Sequence, residues 1–362
     1  MIRSALRLCG GVIAAFCFAC APAQPNSDIS PLALAAAAPP PAAACAFSHI
    51  AMVSATFDPT NANDTPVPVG SIPAYAQRDL TTAFNIAPAF FQKQLCGLDG
   101  IFVAPAGDSW GFRNIKDGKR YLAVSMSLWR GGAAPSFSAY ENGVVHRLLN
   151  GWTGLNHPGK GSEPSDAPAV TILATLAHEY GHILFYDTFV SPRGSAPNYG
   201  AFCGGNFFGD SWQSLPRVAN IWRSYGDIVG AHKSDDVQVQ EILNAAPRPG
   251  GPDNRGAGAL LRRLYGLNGT NAPVGRWASF FASFSPDEDF VETFKLFVLK
   301  NSAAPLESFK INIPIANVIT TEDIPGTCNQ RSVLVKKLGC FAQAMCSGPT
   351  TDPCGVVCPT SH

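Results

Sequence analysis

The chain has 362 residues, enough for one large domain or two modest ones with a buried core and an enclosed cleft. Its 26 Lys and Arg balance 26 Asp and Glu, and charged residues make up only 14% of the total, so the charge suits no polyanion. No Lys/Arg-dense run marks a nucleic-acid arm or an electrostatic membrane anchor.

Residues 1–23 read as an export signal: Arg3 and Arg7, an apolar run from Gly11 to Cys20, then Ala21-Pro22-Ala23 as a small-residue cleavage site. A lipoprotein signal ending at Cys20 is the rival reading, with Ala19 before it, although Cys17 and Phe18 fit that pattern poorly. The expected location is secreted or periplasmic, with a lipid tether as the alternative. No later stretch reaches the roughly 20 uncharged apolar residues of a transmembrane span. Residues 24–46 form a spacer rich in Ala and Pro.

Ordered structure is expected from Phe47. The segment Ala74 to Leu95 has helical spacing in its second half, where Phe90, Phe91 and Leu95 flank Gln92, Lys93 and Gln94, and it should end near Gly97. Ile101 to Val103 reads as a short buried strand. Tyr121 to Trp129 is the clearest strand, because Leu122, Val124, Met126 and Leu128 alternate with Ala123, Ser125 and Ser127; its small-residue face could line a cleft.

Ala169 to Phe189 predicts a nearly all-apolar, hence buried, helix, with Asp166 as N-cap and Pro168 in its first turn. Further helices are expected near 215–225, 236–245 and 257–265, and a strong one over Ser285 to Leu299. Ile311 to Thr320 should be extended.

Of the 11 cysteines, Cys9, Cys17 and Cys20 lie in the signal, and Cys45, Cys96, Cys203, Cys328, Cys340, Cys346, Cys354 and Cys358 follow it. An even set in an exported chain predicts disulfides. The last five have neither C-x-x-C spacing nor a histidine among them, which argues against a zinc knuckle. Because five is odd, at least one must reach back to Cys45, Cys96 or Cys203 if all are bridged. Residues 321–362 therefore read as a disulfide-stapled tail on a main domain over residues 47–320.

The buried helix carries His178, Glu179 and His182 as its only charged or imidazole residues before Asp187. Three ionisable groups in an apolar helix need a compensating partner. Residues four apart on a helix share a face, so His178 and His182 can aim ring nitrogens at one zinc ion. Glu179 lies beside that point, placed to take a proton from metal-bound water.

A catalytic zinc needs a third protein ligand. A metzincin-type third ligand would fall at Thr188, and the glycine of that pattern at Phe185, which excludes that branch. Asp187 would point away from the shared face and is expected to make a helix-end or structural contact. Glu288 and Glu292 share a face of the second strong helix, so one can bind the metal while the other orients a ligand histidine. Ser285 and Glu288 also spell a capping box, so Glu288 competes between ligand and cap; if it caps, Glu292 becomes the ligand. Phe290, Phe294 and Phe297 should face the core.

His178-Glu179-Tyr180-Gly181-His182, followed far downstream by Glu288-Asp289-Phe290-Val291-Glu292-Thr293-Phe294, resembles the gluzincin branch of zinc peptidases, particularly lethal-factor-like and related secreted bacterial metallopeptidases. The resemblance implies that Glu288 is the metal ligand and Glu292 the supporting glutamate. It also implies an α+β, zincin-like fold: a small mixed sheet with an edge strand above the active-site helix, and a mainly helical second lobe. The implied activity is zinc-dependent hydrolysis of peptide bonds in a peptide or protein substrate. A zinc-binding exported protein without catalysis, acting as a sensor or surface-binding factor, is the alternative. The oxyanion donor that such an enzyme needs could come from Tyr199, His232 or Tyr265.

Overall fold

The computed structural model describes residues 47, 52–57, 65–114, 117–130, 132–137, 139–141, 168–189, 202–205, 207–208, 278–279, 281–283, 286–303, 309–315, 318–324, 333–347, 349–350 and 357–358. The chain divides into two units, Met1–Ala38 and Pro39–His362, and every described residue belongs to the second. The signal and spacer readings, the three helices expected within 215–265, and Tyr199, His232 and Tyr265 lie outside the described residues.

The architecture is mixed α and β, built on a five-stranded mixed sheet. Its strands are β1 (Met52–Thr56), β2 (Val67–Gly70), β3 (Gly100–Ala104), β4 (Trp110–Arg113) and β5 (Arg120–Ser125), in the order β2-β1-β3-β5-β4. The central β1, β3 and β5 run parallel, while β2 and β4 are antiparallel edges. Parallel central strands need cover on both faces, and β3 is buried at every position. Ile101, Val103, Leu122 and Val124 join the main core, whereas Phe102, Ala104 and Ala123 point the other way, into a small cluster with Ala55, Phe57 and Phe112.

β5 is shorter than its alternation predicts. Ser125 is buried, and its Oγ accepts from the Ser127 backbone N–H at 3.2 Å while donating to the Gly107 carbonyl at 2.7 Å. This local capping turns Met126–Trp129 into a 3₁₀ turn. Ala123 and Ser125 are buried and line no cleft.

The helical segment after β2 is likewise two helices, α1 (Ala74–Ile86) and α2 (Ala89–Cys96). Ala87 precedes Pro88 and is extended, with φ −65° and ψ 145°, because the proline ring disfavours a helical residue before it.

The long apolar run forms α3 (Pro168–Phe189), and the acidic-then-aromatic run forms α4 (Pro286–Lys300). α4 is followed by an antiparallel hairpin of β6 (Phe309–Ile315) and β7 (Val318–Ile324), two strands where the sequence suggests one extended stretch. Among the described residues no helix is long and apolar enough to cross a membrane.

Phe290, Phe294 and Phe297 face the core and are fully buried. Phe290 packs against Phe189, Phe202, Phe207 and Phe341, with ring centroids 4.9–5.4 Å apart. Contacts of this kind hold α4 in one rotation, and truncating such a side chain to Ala costs about 3–5 kcal/mol.

The C-terminal region contributes a helix that the cysteine pattern conceals, α5 (Val333–Met345). Its Leu334, Leu338 and Phe341 enter the main core. Its fully buried Lys337 reaches both carboxylate oxygens of Asp289 on α4, at 2.6 and 2.8 Å.

Among the described residues, Cys203–Cys340 bridges the body to the C-terminal region and Cys346–Cys358 closes a loop within it, and Cys96 is also bridged. Cys203–Cys340 is the expected link from the last five cysteines back to the body. It spans 137 residues, against 12 for Cys346–Cys358, and in the chain-entropy account a longer loop gives the larger stabilisation. A Cys203→Ser/Cys340→Ser variant should lose on the order of 3–5 kcal/mol in denaturant titrations, more than the corresponding Cys346/Cys358 variant. Equal losses would show that loop entropy is not the main term.

Candidate metal centre

α3 and α4 cross at close range beside Gly181. A Cβ at Gly181 would lie 3.1 Å from the Val291 Cα and 3.1 Å from its Cγ1, so any larger residue would press α4 outward by a few tenths of an ångström. The two helices run in opposite senses here: His178 meets Glu292, whereas His182, one turn later, meets Asp287.

The ring nitrogens are sorted by these contacts. His178 Nδ1 lies 2.6 Å from Glu292 Oε1, and His182 Nδ1 lies 3.3 Å from Asp287 Oδ2. With each Nδ1–H directed at a carboxylate, each Nε2 is left to the interior of the site. The two Nε2 atoms are 3.3 Å apart, and Glu288 places Oε2 3.8 Å from that of His178 and Oε1 3.9 Å from that of His182. His178, His182 and Glu288 thus offer three donor atoms that all lie within 4.8 Å of one another.

The donor set fits zinc. Two nitrogens on a tetrahedral ion with bonds of about 2.0–2.1 Å stand about 3.3 Å apart, and His₂Glu with a fourth position open is a catalytic zinc set. Two imidazole lone pairs facing each other repel unless a cation or a proton lies between them. The electrostatics reflect that demand. Burial disfavours charge on His182, but the Asp287 carboxylate and the fields of Glu288 and Glu179 outweigh it and raise the imidazole to about 10. His178 is also raised, because its hydrogen bond to Glu292 and the nearby carboxylates overcome burial. Burial lifts Glu288 to about 7 even though both imidazoles pull it down. The cluster favours positive charge at its centre.

Glu179 is 7% exposed, one residue from His178, and burial raises its carboxyl while the two imidazoles and the Gly111 backbone N–H lower it. Gly111 belongs to the edge strand β4, which no pattern in the sequence reveals. A Cβ there would come within 1.6 Å of the Glu179 carbonyl oxygen, so β4 lies directly against α3. Arg113 at the end of the same strand donates to Asp187, giving that aspartate the structural role expected of it.

Gly111→Ala should therefore push β4 off α3. The expected result is a cost of roughly 1–3 kcal/mol or more in stability, read in denaturant titrations, with the three donors on α3 and α4 left in place. Unchanged stability would contradict this close contact between β4 and α3.

The structure brings together every residue singled out from the motifs: His178, Glu179, His182, Glu288 and Glu292. It adds Asp287 and Phe281, whose ring stacks 5.9 Å from that of His178. Asp287 was legible in principle, since opposed helices pair the later histidine with an earlier acid. Phe281 carried no such signal. No family model matches the chain, and no curated protein or solved structure matches it either.

Proposed function

We propose that this chain is a zinc metallopeptidase of the glutamate type with a zincin-like arrangement of sheet and active-site helix. The observation that carries the reading is the convergence of His178, His182 and Glu288, with Glu179 beside them on the same helix and a carboxylate behind each imidazole. His178, His182 and Glu288 would hold the ion, and Glu292 and Asp287 would fix the two imidazoles.

Zinc bound there supplies a Lewis acid that lowers the pKa of water and polarises the scissile carbonyl. Glu179 takes a proton from the attacking water as the new C–O bond forms. It then delivers that proton to the departing nitrogen as the C–N bond breaks, so the products are a carboxylic acid and an amine. The Gly111 backbone N–H favours the charged form of the Glu179 carboxylate. The disulfides suit a peptidase that acts outside the cytoplasm.

Purified full-length protein should contain one equivalent of zinc and cleave a mixed peptide library. A strong chelator should abolish cleavage, and zinc should restore it. Protein that holds stoichiometric zinc yet cleaves nothing would leave the non-catalytic alternative, and protein without stoichiometric zinc would remove both.

A further inference from the structure

Beyond the motif residues lies a second buried charge cluster. Lys295 is one turn after Glu292 on α4, and its ammonium stands 2.7 Å from Glu292 Oε2. The same nitrogen lies 2.5 Å from Oε1 of Glu141, which comes from a segment 154 residues earlier in the chain. All three side chains are buried: Glu141 is 2% exposed, Glu292 2% and Lys295 6%. The Phe137 ring covers the ammonium, with its centroid 5.7 Å away.

Burying a lysine and two glutamates costs several kcal/mol per ion, and apolar residues of similar volume often do as well or better for stability. The arrangement instead has a direction. Glu141 anchors the ammonium, the ammonium occupies Oε2 of Glu292, and Oε1 of Glu292 is thereby left for His178 Nδ1 at 2.6 Å. The contact to Oε2 is an ion pair between two buried charges. Two carboxylates share one ammonium, and one of them, Glu292, faces the imidazole that would carry the metal.

We infer that Glu141 and Lys295 are positioning residues for the metal centre, acting through Glu292 to fix the ring orientation and tautomer of His178. The inference rests on the zinc-site reading above and extends it to two residues that touch neither metal nor substrate. Without the ammonium, Oε2 of Glu292 would be buried with no counter-charge, and the carboxylate would rotate away from His178. That change frees the imidazole to turn. Outer residues of this kind typically contribute 10–100-fold in metal affinity.

The test is a double-mutant cycle on the full chain, with zinc dissociation constants measured by competition against a chromophoric chelator and folding checked by circular dichroism. Glu141→Leu/Lys295→Met removes both charges together, so neither is stranded. It should weaken zinc roughly 10–100-fold, and in a Glu292→Gln background the same pair of changes should alter affinity less than about threefold. The cobalt-substituted pair variant should also show a shifted ligand-field spectrum.

Wild-type affinity and spectrum in a folded pair variant would overturn the inference while leaving the zinc site intact. So would equal losses with and without Glu292. If the pair variant does not fold, the isosteric Glu141→Gln decides: a shifted cobalt spectrum with weaker binding supports the role, and an unchanged spectrum and affinity overturn it. Wild-type protein that binds no zinc would remove the metal reading and this inference together.

Discussion

Glu179→Gln should abolish peptide hydrolysis while bound zinc stays near one equivalent. Gln has the size of Glu and can still accept the Gly111 N–H, so the local packing survives. It cannot hold a proton between the attacking water and the leaving nitrogen. A positioned acid–base group contributes about 10²–10⁴-fold, and Glu179 would serve both transfers, so a loss toward the upper end is expected. Turnover and zinc content should be measured on one sample. Full activity in this variant would sink the peptidase mechanism, whereas loss of zinc in parallel would mean that Glu179 acts mainly in holding the site together.

The second large effect concerns the choice between two glutamates. Glu288→Ala removes a carboxylate whose Oε2 stands 3.8 Å from His178 Nε2 and whose Oε1 stands 3.9 Å from His182 Nε2. It should weaken zinc by more than the roughly 10–100-fold expected for Glu292→Gln, which removes only the carboxylate behind His178. Both variants should fold, because Glu288 is in the first turn of α4 and the core contacts of that helix come from Phe290, Phe294 and Phe297. The reverse order of effects would make Glu292 the ligand and leave Glu288 as a helix-end residue. Nearly equal effects would point to a carboxylate pair that shares the metal.

The candidate site was legible to different depths. His178, Glu179 and His182 stand out because ionisable groups in an apolar helix are rare and their spacing of one turn is a local property. Glu288 and Glu292 were identifiable as a pair, since they too share one helical face. Their division of labour was not, because ligand and capping box use the same side chain; Ser285, the other half of that box, lies outside the described residues. Gly181 looks in the sequence like a mild helix defect. In three dimensions it faces Val291 where α3 and α4 cross. β4 was missed because Trp110–Arg113 is a four-residue edge strand with no alternating pattern, and α5 because the cysteines around it drew attention to bridges.

By itself the sequence determined which helix carries the clustered ionisable groups, offered a second acidic helix as the source of a third ligand, and required at least one of the last five cysteines, if all are bridged, to reach back to Cys45, Cys96 or Cys203. Those are consequences of period, composition and parity, which act over a few residues or by counting. Only the tertiary structure decided that Glu292 stands behind His178 and Asp287 behind His182, that Gly111 brings an edge strand onto Glu179, and that Lys295 and Glu141 lie behind Glu292. The physical reason is that these pairings join residues as much as 154 positions apart. Their distances are set by how closely helices and strands can pack, which no local pattern records.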